Sequence, residues 1–176
     1  NDLYEPLTNF WKTLQDDGYK MYKRLQELKS RYPDQGSARG LFLEAKDLVN
    51  DNSVSPLYRA CAFYVINKCS FSGLSESSSF SRQASDSNFS MRGIDKLPGY
   101  TQLIRNWKIT NESYERLPKL LEQHQPDYVL IELGANDGLR GFPPGLIGNN
   151  LTQMVALIRQ ADAKPMIMQI HVLPNY

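Results

Sequence analysis

The short run Tyr128-Val129-Leu130-Ile131-Glu132-Leu133, set between Pro126 and Gly134, constrains the fold more than any other stretch of the chain. A mostly apolar run of this length, stopped by proline on one side and glycine on the other, reads as a buried strand. Turn-formers follow at once as Gly134-Ala135-Asn136-Asp137-Gly138. They leave polar side chains at the strand's C-terminal end, the edge of an open α/β sheet where ligands bind. Asn149 to Ala161 then shows Leu151, Met154, Val155, Leu157 and Ile158 at helical spacing, and Pro165 to Leu173 is a second apolar run. Strand, helix, strand over about 45 residues is a β-α-β unit, which predicts two parallel strands with a right-handed crossover. Two strands need further cover, and the chain offers few other strand candidates.

Upstream the pattern is helical. Leu3, Leu7, Phe10, Trp11 and Leu14 form one stripe, with Pro6 tolerable in a first turn and Gly18 the expected break. Tyr19 to Tyr32 continues with Tyr22, Leu25 and Leu28 on one side. Its Lys20, Lys23, Arg24, Lys29 and Arg31 read as a solvated face, with contact to phosphates as the alternative. Ala38 to Val49 reads as a third helix. Pro56 to Phe71 is apolar nearly all round, so it is expected to be a buried central helix. Ser75 to Ser90 is rich in serine and has almost no periodicity, which reads as a flexible linker. Because Phe80, Arg82, Asn88 and Phe89 interleave with those hydroxyls, an ordered loop touching phosphates and bases is the alternative. Tyr100 to Trp107 reads as a short helix, Lys108-Ile109-Thr110 as a short strand, and Glu112 to His124 as a helix that Pro118 kinks or restarts. There is no internal repeat.

Composition narrows the class. A chain of 176 residues makes one ordinary domain or two small ones, and 41% hydrophobic content fills a core. A net charge of +1 gives no global basic field, so nucleic-acid binding would need a local patch. No apolar run approaches the roughly 18 residues of a membrane span. The start, Asn1-Asp2-Leu3-Tyr4, has no Met, basic leader or apolar signal core, and reads as cut from something longer. A cytoplasmic location without a membrane partner is the expectation. Cys61 and Cys69, eight residues apart on a helix, sit roughly 12 Å apart, too far for a disulfide. Two buried free thiols in a reducing compartment are expected, and no metal site is.

Two resemblances follow. Asn1-Asp2-Leu3, the helical run after it, and Ala62-Phe63-Tyr64-Val65-Ile66-Asn67-Lys68-Cys69-Ser70-Phe71-Ser72-Gly73-Leu74 resemble the Dam-type DNA adenine methyltransferases. Lys68 and Ser72 stand where that family more often has Arg and Asn. Ser87-Asn88-Phe89-Ser90 sits where its DNA-contacting Asn-Phe element belongs, and Lys108-Ile109-Thr110-Asn111 matches the strand leading toward its catalytic loop. The resemblance covers residues 1 to about 117. It implies S-adenosylmethionine as cofactor with Asp2 on the ribose hydroxyls, and duplex DNA as partner with Arg82, Asn88 and Arg92 as contacts. The family's glycine-containing cofactor loop and its Asp-Pro-Pro-Tyr, which binds a flipped adenine, are not found in these 176 residues.

Arg116-Leu117-Pro118-Lys119-Leu120-Leu121, then Gln125-Pro126-Asp127 and the strand into Gly134-Ala135-Asn136-Asp137-Gly138-Leu139-Arg140-Gly141-Phe142, resembles the SGNH ester hydrolases of the arylesterase and lysophospholipase type. Gln169-Ile170 and Pro174-Asn175-Tyr176 fall at the matching distance downstream. By this resemblance Asn136 donates its amide to an oxyanion and the substrate is a small ester. The family's Gly-Asp-Ser-Leu and Asp-x-x-His motifs are not among these residues. His171 reads as a packed or edge histidine of a strand, and His124 as a helix C-terminal residue favoured by the dipole. Ser70, Ser72 and His171 are the side chains to examine for an unrecognised site.

The resulting expectation is a hybrid of mixed α/β class, with a helical methyltransferase-like segment at 1–117 and a β-α-β unit of a parallel, flavodoxin-like sheet at 118–176. The leading functional reading is an incomplete DNA adenine methyltransferase segment, on coverage. The alternative is an incomplete SGNH ester hydrolase, on the sharpness of its motif. A non-catalytic hybrid or truncated chain is the third.

Overall fold

The computed structural model describes residues 4–71, 78–132 and 143–168. They fall into two units, Asn1–Glu112 and Ser113–Tyr176.

The first unit is helical. α1 (Glu5–Arg31) carries Pro6 in its first turn, and its buried Phe10, Leu14, Met21 and Leu25 recur at helical spacing. The expected break at Gly18 is not there. The chain kinks one residue earlier, at Asp17 (φ −127°, ψ 30°), and the helix runs on. Gly18 is needed for a different reason. A Cβ at this position would run into the Thr101 hydroxyl, which lies 3.0 Å from the Leu14 carbonyl and 3.3 Å from that of Leu97.

α2 (Gln35–Leu48) begins before the expected Ala38, because Asp34 caps it. The Asp34 carboxylate accepts from the Gly36 and Ser37 amides at 2.8 and 3.0 Å, satisfying donors that a helix start leaves open. The Ser37 amide is the main cause that holds this carboxyl below its ordinary range. α3 (Pro56–Cys69) is the buried central helix, with Ala60, Cys61, Ala62, Tyr64, Val65, Ile66 and Cys69 all enclosed. It packs against both α1 and α2.

The described part of the serine-rich stretch is not a flexible linker. Ser70 and Phe80 form an antiparallel bridge, in which the Phe71 amide donates to Ser79 O at 3.2 Å and the Ser81 amide to Cys69 O at 2.8 Å. Ser81 Oγ then caps α4 (Arg82–Ser87) by accepting from the Ala84 amide, and Ser90 Oγ caps α5 (Met91–Ile94) by accepting from Gly93. The serines serve as helix starts. α6 (Leu97–Leu103) begins and ends earlier than the expected Tyr100 to Trp107, and Lys108 to Thr110 is not a strand.

In the second unit a 3-10 turn (Tyr114–Arg116) leads into α7 (Leu117–His124), so Pro118 restarts the helix from its first turn. β1 (Tyr128–Ile131), α8 (Pro144–Gln160) and β2 (Lys164–Ile167) follow. The strands pair in parallel, Tyr128 opposite Lys164 through Ile131 opposite Ile167. The expected strand-helix-strand order is therefore present, and the class is mixed α/β, mostly helical with a small parallel sheet. Leu121, Ile131, Ile158 and Ala163 form the unit's core, with Leu117, Val129, Leu151, Met154, Val155 and Leu157 around them.

Two outcomes are expected. Gly18→Ala lowers the thermal midpoint, although alanine favours a helix interior by about 1 kcal/mol. Adding Thr101→Ala restores much of the loss, a coupling that a double-mutant cycle reads directly. In hydrogen exchange, the amides of β1 and β2 open before those of α1 and α3, because the smaller core shields them less.

Candidate functional site

Parallel pairing puts the C-terminal ends of β1 and β2 on one edge. The ladder closes with the Met168 amide donating to Ile131 O at 2.9 Å, so the chain leaves both strands side by side. In the sequence Asn136 falls between Ile131, the last residue of β1, and Pro144, the first of α8. This connection follows the carboxyl edge of the sheet and precedes a helix N-terminus, a place where α/β proteins bind ligands. Asn136 itself lies outside the described residues, as do His171, Ser72 and Asp2. Ser70 is buried (1% exposed) at the end of α3, so its hydroxyl is not accessible to a substrate. His124 occupies the last turn of α7.

The three residues assigned to DNA by resemblance are all exposed: Arg82 at the start of α4, Asn88 at its C-cap and Arg92 on α5. Phe89, their neighbour, is not available to a base. It is completely buried, edge-on to Tyr64 at 6.4 Å, with Lys29 Nζ 5.2 Å from its ring centre. The basic residues of α1 are also engaged within the molecule. Lys20 pairs with Asp17 at 2.6 Å, Arg24 pairs with Glu27 and lies over Tyr58, and Lys29 donates to Pro33 O at 3.0 Å. Lys20, Lys23 and Arg31 are exposed, as the solvated-face reading expects, while Arg24 and Lys29 are half-buried.

One feature was not drawn from the sequence. Arg39, Phe42, Leu43 and Lys46 share one face of α2, at spacing i, i+3, i+4 and i+7. With Ser78, Ser79, Phe80 and Arg82 they line an open pocket of about 400 Å³. The stripe on α2 was legible, but the return of the chain at 78–82 to meet it was not.

The thiols of Cys61 and Cys69 are free and buried. Burial pushes each up to about 12 from an ordinary 9.0, against a small opposing pull from Arg24 and Lys29 respectively. Burial likewise raises the Tyr64 hydroxyl to about 12. Among the described residues no cluster of His, Cys, Asp or Glu could hold a metal ion, and no helix is long and apolar enough to cross a membrane.

Comparison with known proteins gives the class. The GDSL-like lipase/acylhydrolase family matches residues 82–176, more than half of the chain, and the chain belongs to that family. The match takes in Arg82, Asn88 and Arg92 and spans parts of both units. Over 67 residues the chain is 60% identical to an arylesterase of Vibrio mimicus, covering 38% of this chain and 34% of that protein. Over the same length it is 48% identical to thioesterase 1/protease 1/lysophospholipase L1 of Escherichia coli (strain K12), covering 38% and 32%. It is 33% identical over 109 residues to the esterase TesA of Pseudomonas aeruginosa, covering 52% and 54%. The chain thus spans about a third of the length of the first two relatives and about half of the third. These findings support the ester hydrolase resemblance, and nothing in them supports a methyltransferase segment.

The thiols yield a pH prediction. Their folded-state values lie above the unfolded 9.0, so they stabilise the fold fully below that pH and lose this effect as pH rises toward 12. The thermal midpoint is expected to fall between about pH 9 and about pH 12, and to fall less in a Cys61→Ala/Cys69→Ala variant. In the native protein neither thiol reacts with a thiol reagent at neutral pH, and both react after denaturation.

Proposed function

We propose that the protein takes part in the hydrolysis of small carboxylic esters, with Asn136 as an oxyanion donor. The observation that carries this reading is the family match over residues 82–176. The 60% identity to an arylesterase and the position of Asn136 after a parallel strand support it. The methyltransferase reading loses its lead. Its claim was coverage of residues 1–117, and the ester hydrolase family reaches back to residue 82.

An amide at the carboxyl edge of the sheet acts only after a nucleophile has attacked the ester carbonyl. The negative charge then developing on the oxygen is what the Asn136 side chain would stabilise. Removing one such donor costs about 10²–10³ in kcat where the rest of the site is present. These 176 residues contain neither the Gly-Asp-Ser-Leu nor the Asp-x-x-His of the family resemblance. An attack on the carbonyl therefore has no recognised nucleophile and base among them.

Two experiments test the reading. The chain itself is expected to hydrolyse an activated aryl ester no faster than a control protein of the same size, with no change in Asn136→Ala. In the second, the matching 67 residues of the Vibrio mimicus arylesterase are replaced by those of this chain. The chimera is expected to be active and to lose about 10²–10³ in kcat on Asn136→Ala. A folded chimera that is inactive, or that ignores the substitution, removes the role assigned to Asn136.

A further inference from the structure

We propose that the groove between α2 and the segment at 78–82 binds a phosphate group. It is independent of the ester hydrolase reading. Three cations, Arg39, Lys46 and Arg82, line one pocket, and among the described residues no carboxylate lines it. Like charges drawn together with no acid between them repel one another, and an anion placed between them removes that cost.

The three are held by different elements. Arg39 and Lys46 project from the same face of α2, two turns apart. Arg82 opens α4, which is fixed by the Ser81 cap and by the Ser70–Phe80 bridge to the end of α3. Lys46 Nζ donates to Ser78 O at 3.1 Å and lies 5.7 Å from the Phe42 ring centre. That bond uses one of its three protons and holds the ammonium at the groove. Arg39 and Arg82 are exposed, and guanidinium groups match the oxygen spacing of phosphate in a two-pronged contact. Ser78, on the same wall, has a buried Oγ without a hydrogen-bond partner among the described residues.

The apolar part of the lining extends the chemistry. Phe42 and Phe80 pack at 5.6 Å between ring centres, and Leu43 is 54% exposed beside them. A free phosphate would use the cations alone. A phosphomonoester with a flat apolar body would use the cations and lie against Leu43 and Phe80. About 400 Å³ is within the range of small-molecule sites.

The test uses the full chain, titrated with inorganic phosphate and separately with adenosine 5′-monophosphate at constant ionic strength, followed by amide chemical shifts. Saturable shifts confined to 39–46 and 78–82 are expected. Equal affinities identify free phosphate as the ligand, and affinity about tenfold tighter for the nucleotide identifies the phosphomonoester. An Arg39→Gln/Arg82→Gln variant is expected to bind both at least about tenfold more weakly with an unchanged thermal midpoint. Should the double variant not fold, each single variant is expected to show a several-fold loss. Absence of saturable shifts, shifts spread equally over α1, or undiminished binding by the folded variants overturns the proposal.

Discussion

The burial of α3 is the constraint on which the first unit depends. A helix with apolar residues on nearly every side has no face to offer to water, so other elements must enclose it. α1 and α2 do so, and α4 adds to them. Tyr64 shows how far the effect reaches. Its ring stacks against Phe10 of α1 at 6.2 Å and meets Phe89, between α4 and α5, at 6.4 Å. Phe89 ties the serine-rich stretch to the core. Once that ring is inside, the polar neighbours Arg82, Asn88 and Arg92 are left on the outside.

The same packing accounts for the residues that carried the methyltransferase resemblance at 87–90. Asn88-Phe89 and the serines around them were read as parts of a DNA-contacting element. In the structure they perform tasks common to many helical folds: a buried aromatic, a C-cap and two N-caps. Residue types that suit a cap also suit a phosphate contact, because both need a small hydrogen-bonding side chain at a chain turn. The ester hydrolase motif was sharper because particular residues, Gly134-Ala135-Asn136-Asp137 and then Gly138-Leu139-Arg140-Gly141, follow the strand in a fixed series. The family match over residues 82–176 agrees with it and extends it upstream.

The second unit rests on a smaller basis. Leu121, Ile131 and Ile158 join α7, β1 and α8, while Tyr128, Leu130, Met166 and Ile167 remain largely exposed. Strands of parallel sheets are usually covered on both faces. The parallel register nonetheless brings the C-terminal ends of both strands to one edge.

What the sequence by itself determined is the local pattern. Two apolar runs with a helical stripe between them located β1, α8 and β2 and required parallel pairing, since a helix between two strands returns the chain to the same end. The apolar circumference of α3 announced its burial, and Pro118 announced the restart at α7. Tertiary structure decided what depends on partners distant in the chain. Gly18 read as a break because glycine weakens a helix, yet α1 passes through it and the glycine makes room for Thr101. The serines after residue 78 read as a linker until the bridge of Ser70 with Phe80 and the burial of Phe89 gave them helices to cap. The meeting of Arg82 with Arg39 and Lys46 was decided in the same way, because spacing specifies which residues share a helix face and only the closed chain specifies what stands opposite.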